Sequence, residues 1–81
     1  MQYHEKISSY IKQKREKIGL SLNEFCFEND LEPATLSRYE NKKRRISLEN
    51  LVKIAKGFNQ TPAEFLSEFE KIINYPLLKN K

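Results

Sequence analysis

The sequence has little of the residue types that build covalent, metal or phosphate sites. Its 81 residues include one cysteine, one histidine and two glycines. Cys26 has no partner for an internal disulfide. His4 has no Cys, Asp or His at ligand spacing, whereas a metal site needs three or four ligands. Gly19 and Gly57 are too far apart for a glycine-rich phosphate loop. The composition therefore indicates no enzyme, no metal site and no cofactor.

Long hydrophobic runs and a secretion signal are also missing. A membrane-spanning helix needs about 20 consecutive apolar residues, so no membrane partner is expected. Together with the unpaired cysteine, this predicts a soluble, cytoplasmic protein. A chain of 81 residues is large enough for one domain with one core, but not for separate catalytic and regulatory domains.

Positive charge is unevenly distributed along the chain. The total of 15 Lys and Arg against 11 Asp and Glu gives a net charge of +4, which favours an anionic partner without naming one. Residues 1–41 contain six basic and seven acidic residues, whereas residues 42–56 contain six basic residues and Glu49 alone. The positive charge is thus concentrated in the middle of the chain.

Hydrophobic residues recur at three- and four-residue steps along most of the sequence, which predicts amphipathic helices. Capping signals divide the pattern: Gly19 suits a helix end, Ser21 and Glu24 form a capping-box pattern, and Pro33 suits a first helical turn. Five helices are predicted, at residues 3–18, 22–29, 33–41, 48–57 and 62–73. No strand pattern is present. We therefore expect an all-α fold, a compact five-helix bundle formed by one domain over residues 1–73, with a tail at 74–81.

The second and third predicted helices have the features of a helix-turn-helix. Asn29 and Asp30 tolerate the left-handed backbone of a tight turn. The third helix has only two large apolar residues, and its opposite face combines four residues that share one side of a helix, Pro33, Ala34, Ser37 and Arg38. Such a helix suits insertion into a major groove, where an arginine fork matches guanine O6 and N7. The alternative is a simply solvated helix face.

Three segments between Ile7 and Leu66 together resemble a known family. They are KQKREKIGLSLNEF, LEPATLSRYENKKRR and SLENLVKIAKGFNQTPAEFL. Their order and spacing resemble the Cro and phage-repressor type of helix-turn-helix, also called the XRE family. The resemblance implies a lambda-repressor-like DNA-binding domain and a transcriptional regulator, such as a repressor, that binds a palindromic operator in double-stranded DNA as a homodimer. Restriction-modification controllers and prophage regulators both fit.

The resemblance also implies roles for individual residues. Residues 33–41 correspond to the recognition helix, with base contacts from Pro33, Ala34, Ser37 and Arg38. Phosphate contacts would come from Thr35, Asn41 and the basic loop Lys42, Lys43, Arg44 and Arg45. Leu22 stands where the family often has glutamine, so Ser21 and Asn23 are the expected substitutes. Arg15 would form a structural ion pair with Glu40.

This sequence departs from the family pattern at two further positions. Asp30 occupies the place of the usual glycine in the inter-helix turn, which allows the turn at some strain. Glu32 replaces the usual Ser or Thr before the recognition helix and is a weaker cap. It also places a negative charge near the DNA. For the basic loop, the alternative interpretation is a solvated run of cations.

Several apolar residues lie where the predicted domain core does not require them. Phe27 should point away from the core. Apolar residues also continue through the C-terminal part of the chain, beyond the expected end of the shared fold. A homodimer interface is predicted from Phe69, Ile72, Ile73 and Tyr75. The alternative is that these residues cover the core of their own chain. A second alternative function is an antitoxin or protein-interaction module that represses its own operon with a toxin or another partner protein.

Overall fold

The computed structural model describes residues 3–73, which form five α-helices and no strand. The helices are α1 (Tyr3–Lys17), α2 (Leu22–Glu28), α3 (Pro33–Glu40), α4 (Leu48–Gly57) and α5 (Pro62–Ile73). The predicted all-α fold class is confirmed, and each helix end lies within one residue of its predicted position. The predicted tail, residues 74–81, lies outside the described residues. None of the described helices is long and apolar enough to cross a bilayer.

Side-chain caps define the starts of three helices. At α2, the Glu24 N–H donates to Ser21 Oγ at 3.1 Å, and the Ser21 N–H donates to Glu24 Oε1 at 2.8 Å. The predicted capping box is therefore confirmed. Thr61 and Glu64 form the same reciprocal pair before α5, and Ser47 Oγ accepts from the Asn50 N–H at the start of α4. These bonds satisfy N–H groups that have no partner inside a helix.

Four helices end with one residue in the left-handed conformation. The residues and their φ angles are Gly19 (80°), Asp30 (57°), Lys42 (64°) and Asn59 (59°). After each of them, the next N–H reaches back to the carbonyl five residues earlier, as from Lys43 to Arg38 at 2.9 Å. This is the Schellman arrangement, which normally selects glycine. The expectation of left-handed residues at Gly19 and Asp30 is confirmed, whereas the left-handed Lys42 was not predicted.

The core is formed by one side of every helix. Its completely buried hydrophobic residues are Ile11, Phe25, Cys26, Leu36, Ile54, Ala55, Phe65 and Phe69. Aromatic rings connect the helices, with Phe58 between Phe25 and Phe65 at centroid distances of 4.9 and 6.0 Å. Gly57 allows α2 and α4 to approach closely, because a Cβ there would lie 2.6 Å from Phe25 Cζ.

The structure corrects the prediction for one proposed interface residue. Phe69 is completely buried, and its ring packs against Tyr3 and Tyr10 at centroid distances of 5.2 and 5.3 Å. Its position on α5 faces α1 within the same chain, so Phe69 supplies core packing and no surface for a partner. Conversely, three apolar residues whose spacing suggests burial are exposed, namely Ile18, Leu48 and Val52. They follow helical hydrophobic spacing but are 49%, 75% and 43% exposed.

Candidate nucleic-acid interface

The turn between α2 and α3 is built on the left-handed Asp30. The Leu31 N–H donates to the Cys26 carbonyl at 3.0 Å, which closes the end of α2. Lys53 on α4 fixes the same turn, since its Nζ lies 3.1 Å from the Asp30 carbonyl oxygen and 3.5 Å from Asp30 Oδ2. Pro33 then occupies the first turn of α3, where its missing N–H has no cost.

The two faces of α3 differ sharply in their surroundings. Leu36, Tyr39 and Glu40 are buried against the rest of the domain. Pro33, Ala34 and Arg38 are exposed, and Ser37 is half-buried at the boundary. The structure therefore brings the four predicted base-contacting residues to the outer side of one helix. The large residues of α3 anchor it to the core and leave that side open.

A buried ion pair fixes the C-terminal end of α3 to α1. Arg15 Nε donates to Glu40 Oε2 at 2.7 Å, and Nη2 donates to Oε1 at 3.0 Å. The remaining Arg15 Nη1 donates to the Leu20 carbonyl at 2.7 Å. Glu40 raises the pKa of the Arg15 guanidinium through this hydrogen bonding, so the guanidinium stays charged. The two-pronged geometry restricts both the distance and the orientation of α3 relative to α1.

A second polar contact joins α3 to α4. The buried Tyr39 hydroxyl accepts from Asn50 Nδ2 at 2.7 Å. The Asn50 backbone N–H is also bound, because it donates to the Ser47 cap. The loop between α3 and α4 is thus fixed on both sides, by the Schellman end of α3 and by the Asn50 contacts.

That loop carries the basic run. Lys42, Lys43, Arg44 and Arg45 are all exposed. The left-handed backbone at Lys42 turns the chain sharply away from the axis of α3. The run consequently lies directly beside the end of the candidate recognition helix, where positive side chains can neutralise phosphates without sequence preference.

Some of the other predicted phosphate contacts already have partners within the chain. The Asn41 side chain donates to the Ser37 carbonyl at 2.9 Å, and Thr35 Oγ1 donates to Glu32 Oε1 at 3.3 Å. Glu32 makes no side-chain capping bond, as expected for a weaker cap. Ser21 and Asn23 lie exposed at the start of α2, and Ser21 is engaged in its capping box through both its side-chain oxygen and its backbone N–H.

The residues that bear on alternative functions are distributed as follows. Phe27 is 90% exposed and Ile72 is 61% exposed. The side chain of Ile73 and all of Tyr75 lie outside the described part of the chain. Cys26 is buried, and burial raises the pKa of its thiol, which disfavours the reactive thiolate. Among residues 3–73, no group of three or more His, Cys, Asp or Glu side chains is arranged to hold a metal ion.

Sequence inspection missed two residues that position the site, Asn50 and Lys53. Both act through contacts with residues 11 and 23 positions earlier. For Asn50 the sequence contains an indication, because a polar residue near the apolar side of an amphipathic helix often has a buried hydrogen-bond partner. Lys53 offered none, since an exposed lysine on a helix is ordinary.

The sequence is similar to a known protein family and to a known protein. The family described as Helix-turn-helix matches residues 11–65. Control protein C.MunI from Mycoplasma sp is 42% identical over 60 residues, which cover 74% of this chain and 81% of that protein.

Solved structures support the same fold. The crystal structure of the wild-type restriction-modification controller protein C.Esp1396I superimposes with a TM-score of 0.78 at 23% identity, covering 91% of this chain and 99% of that one. The clp gene regulator ClgR from Corynebacterium glutamicum gives a TM-score of 0.76 at 20% identity, covering 91% and 79% of the two chains. At such low identity, these matches show the fold alone.

Proposed function

The chain belongs to the helix-turn-helix family of DNA-binding transcriptional regulators, and from this premise we propose that it binds a palindromic operator as a homodimer in the cytoplasm. In the proposed complex, α3 lies in the major groove and the basic loop lies over the adjacent backbone. Occupation of the operator then blocks or recruits polymerase. The relation to a control protein favours a controller role over that of a prophage regulator.

One observation carries this proposal: the outer side of α3 is open, and an exposed run of four basic residues follows it directly. The eight residues of α3 extend about 12 Å at 1.5 Å per residue, and the major groove is about 12 Å wide. The small side chains of Ala34 and Ser37 allow close approach to base edges. Arg38 supplies the strongly directional donor pair.

In vitro selection from randomised duplex DNA at roughly physiological salt tests the proposal, because nonspecific binding is weak there. We expect enrichment of an inverted repeat with half-sites about one helical turn apart. A folded protein that enriches no sequence would refute sequence-specific binding.

Two groups of variants separate base contacts from phosphate contacts. Arg38→Ala should weaken binding to the best site by about 1–3 kcal/mol and relax one base position. Neutralising Lys43 and Arg44 should instead weaken all duplexes alike and reduce the salt dependence. Unchanged base preference in Arg38→Ala would place the recognition surface elsewhere.

The proposed dimer uses the exposed part of α5, including Ile72, together with Ile73 and Tyr75. Two half-sites combine the specificity of two short helices, which favours a symmetric dimer. Ile72→Glu should shift the molecular mass in solution toward one chain, as measured by light scattering after gel filtration. A wild-type mass of one chain at micromolar concentration would count against the dimer.

The alternative of a module that acts with a protein partner is favoured by Phe27, whose side chain is 90% exposed on α2. Aromatic residues, Phe among them, are enriched at protein interfaces relative to the rest of the surface. If Phe27→Ser leaves DNA binding and the mass in solution unchanged but removes repression in cells, a partner at α2 is required.

A further inference from the structure

Ser37 and Asn41 form a hydrogen-bonded pair on the proposed DNA-facing side of α3. Asn41 Nδ2 lies 2.9 Å from the Ser37 carbonyl oxygen and 3.3 Å from Ser37 Oγ. The Asn41 backbone N–H donates to the same carbonyl at 3.0 Å. Asn41 is exposed and Ser37 is half-buried, so the pair lies at the surface next to Arg38.

The chemistry of this contact fixes the orientation of the Asn41 amide. A backbone carbonyl oxygen can only accept a hydrogen bond, so the atom facing it is the amide nitrogen and not Oδ1. The amide nitrogen of Asn41 then donates to both the carbonyl and Oγ of Ser37. Oδ1 stays outside the contact as an acceptor.

The same contact determines what the Ser37 hydroxyl offers to DNA. Helical serines often donate to the carbonyl four residues earlier, as Ser8 does to His4 at 2.8 Å. Within residues 3–73, the Ser37 hydroxyl makes no bond of that kind, and Oγ instead accepts from Asn41. Its own proton is therefore left for a group outside the chain.

We infer that Asn41 is a positioning residue that presents the Ser37 hydroxyl as a hydrogen-bond donor and so selects a base-edge acceptor at one operator position. The inference rests on the proposed function. In the major groove, G, A and T present acceptors, whereas C presents only its N4 amino donor. This role replaces the phosphate contact predicted for Asn41, because its remaining acceptor does not bind a phosphate oxygen.

The test compares wild type, Ser37→Ala and Asn41→Ala on the selected operator and on every single-base variant of one half-site. Wild type should discriminate against cytosine at one position by roughly threefold to tenfold, as expected for one neutral hydrogen bond. Both substitutions should flatten the preference at that same position. Arg38→Ala is the matched control on the same helix, and it should flatten a different position.

Asn41→Asp gives a second measurement that a merely structural role would not produce. A carboxylate has no proton to donate, so the Ser37 hydroxyl should donate to it and present its lone pairs to DNA. The preference at the Ser37 position should then move toward an amino-bearing base edge, that of C or A. Thermal melts followed by circular dichroism establish that each variant is folded.

Two results would overturn the inference. One is that Asn41→Ala weakens every duplex by the same factor and leaves all base preferences unchanged, which would make Asn41 a backbone contact. The other is that Ser37→Ala leaves the base preferences unchanged. Wild-type protein that selects no sequence at all is a different result, since it refutes the proposed function itself.

Discussion

Replacing Lys42 with glycine should stabilise the domain and weaken its binding to DNA at the same time. Lys42 is the left-handed residue that ends α3, with φ at 64°. A left-handed backbone costs an L-residue about 1–2 kcal/mol, and glycine avoids that cost. The added freedom of glycine in the unfolded chain offsets about 0.4–1 kcal/mol of the gain. The net stabilisation expected for Lys42→Gly is therefore between about 0 and 1.6 kcal/mol.

Lys43→Gly is the matched control, because it removes the same charge from the next position. Lys43 is not among the residues with positive φ, so glycine there brings only its entropic cost. The two variants should differ by about 1–2 kcal/mol in unfolding free energy. The assay is urea unfolding at one fixed protein concentration, since the proposed dimerisation would make stability concentration-dependent.

Salt titrations of DNA binding complete the comparison. If each lysine neutralises one phosphate, each variant should lower the slope of log affinity against log salt by about 0.9. A Lys42→Gly protein no more stable than Lys43→Gly would refute the assignment of strain to Lys42. Opposite effects on stability and on binding would explain why a lysine occupies a position that suits glycine.

Three further predictions concern the scaffold. Arg15→Ala leaves Glu40 buried without its partner and should cost about 3–5 kcal/mol of stability, whereas the exposed Lys12→Ala should change it by less than about 0.5 kcal/mol; equal melting temperatures would contradict the role of the pair. Hydrogen bonds from Lys14 and Gln60 lower the pKa of Glu68 to about 2 from 4.5, so its stabilisation is complete above about pH 4.5 and is lost as the pH falls toward 2. The unfolding free energies of wild type and Glu68→Gln should therefore differ most near neutral pH, by less than about 1 kcal/mol for this partly exposed group, and converge near pH 2; a constant difference would exclude the linkage. Gly57→Ala should destabilise the domain by about 1 kcal/mol despite the better helix propensity of alanine, because the new Cβ would lie 2.6 Å from Phe25 Cζ; a higher melting temperature would mean that Phe25 and Asn29 move aside.

Local chemistry made much of this fold predictable from the sequence. The capping residues contact only groups a few positions away in the sequence, so their patterns give the helix ends directly. These residues are Gly19, Ser21 with Glu24, and Pro33. The outer side of α3 was predictable for the same reason, since two large apolar residues fix which side of a short helix faces inward. The identity of the family followed from the order of three segments.

The remaining features depend on distances between elements that no local pattern contains. Phe69 and Ile72 are both apolar and three residues apart on α5, yet Phe69 is completely buried and Ile72 is 61% exposed. The packing of α5 against α1 determines which of the two side chains is buried. The Asn50–Tyr39 and Lys53–Asp30 contacts likewise depend on tertiary packing. Each forms only if α4 has one particular position relative to α2 and α3.

Those two α4 contacts have a thermodynamic consequence. Lys53 binds the turn before α3, and Asn50 binds Tyr39 near the end of α3, so a displacement of α4 would tilt α3. The opposite side of α4 exposes Leu48 and Val52, where a molecule that binds one position of α4 more tightly than another would change the free energy of that displacement. Such coupling is reciprocal: a ligand of α4 that strengthens DNA binding tenfold is itself bound tenfold more tightly on DNA. Operator DNA would thereby act as an effector of whatever contacts α4.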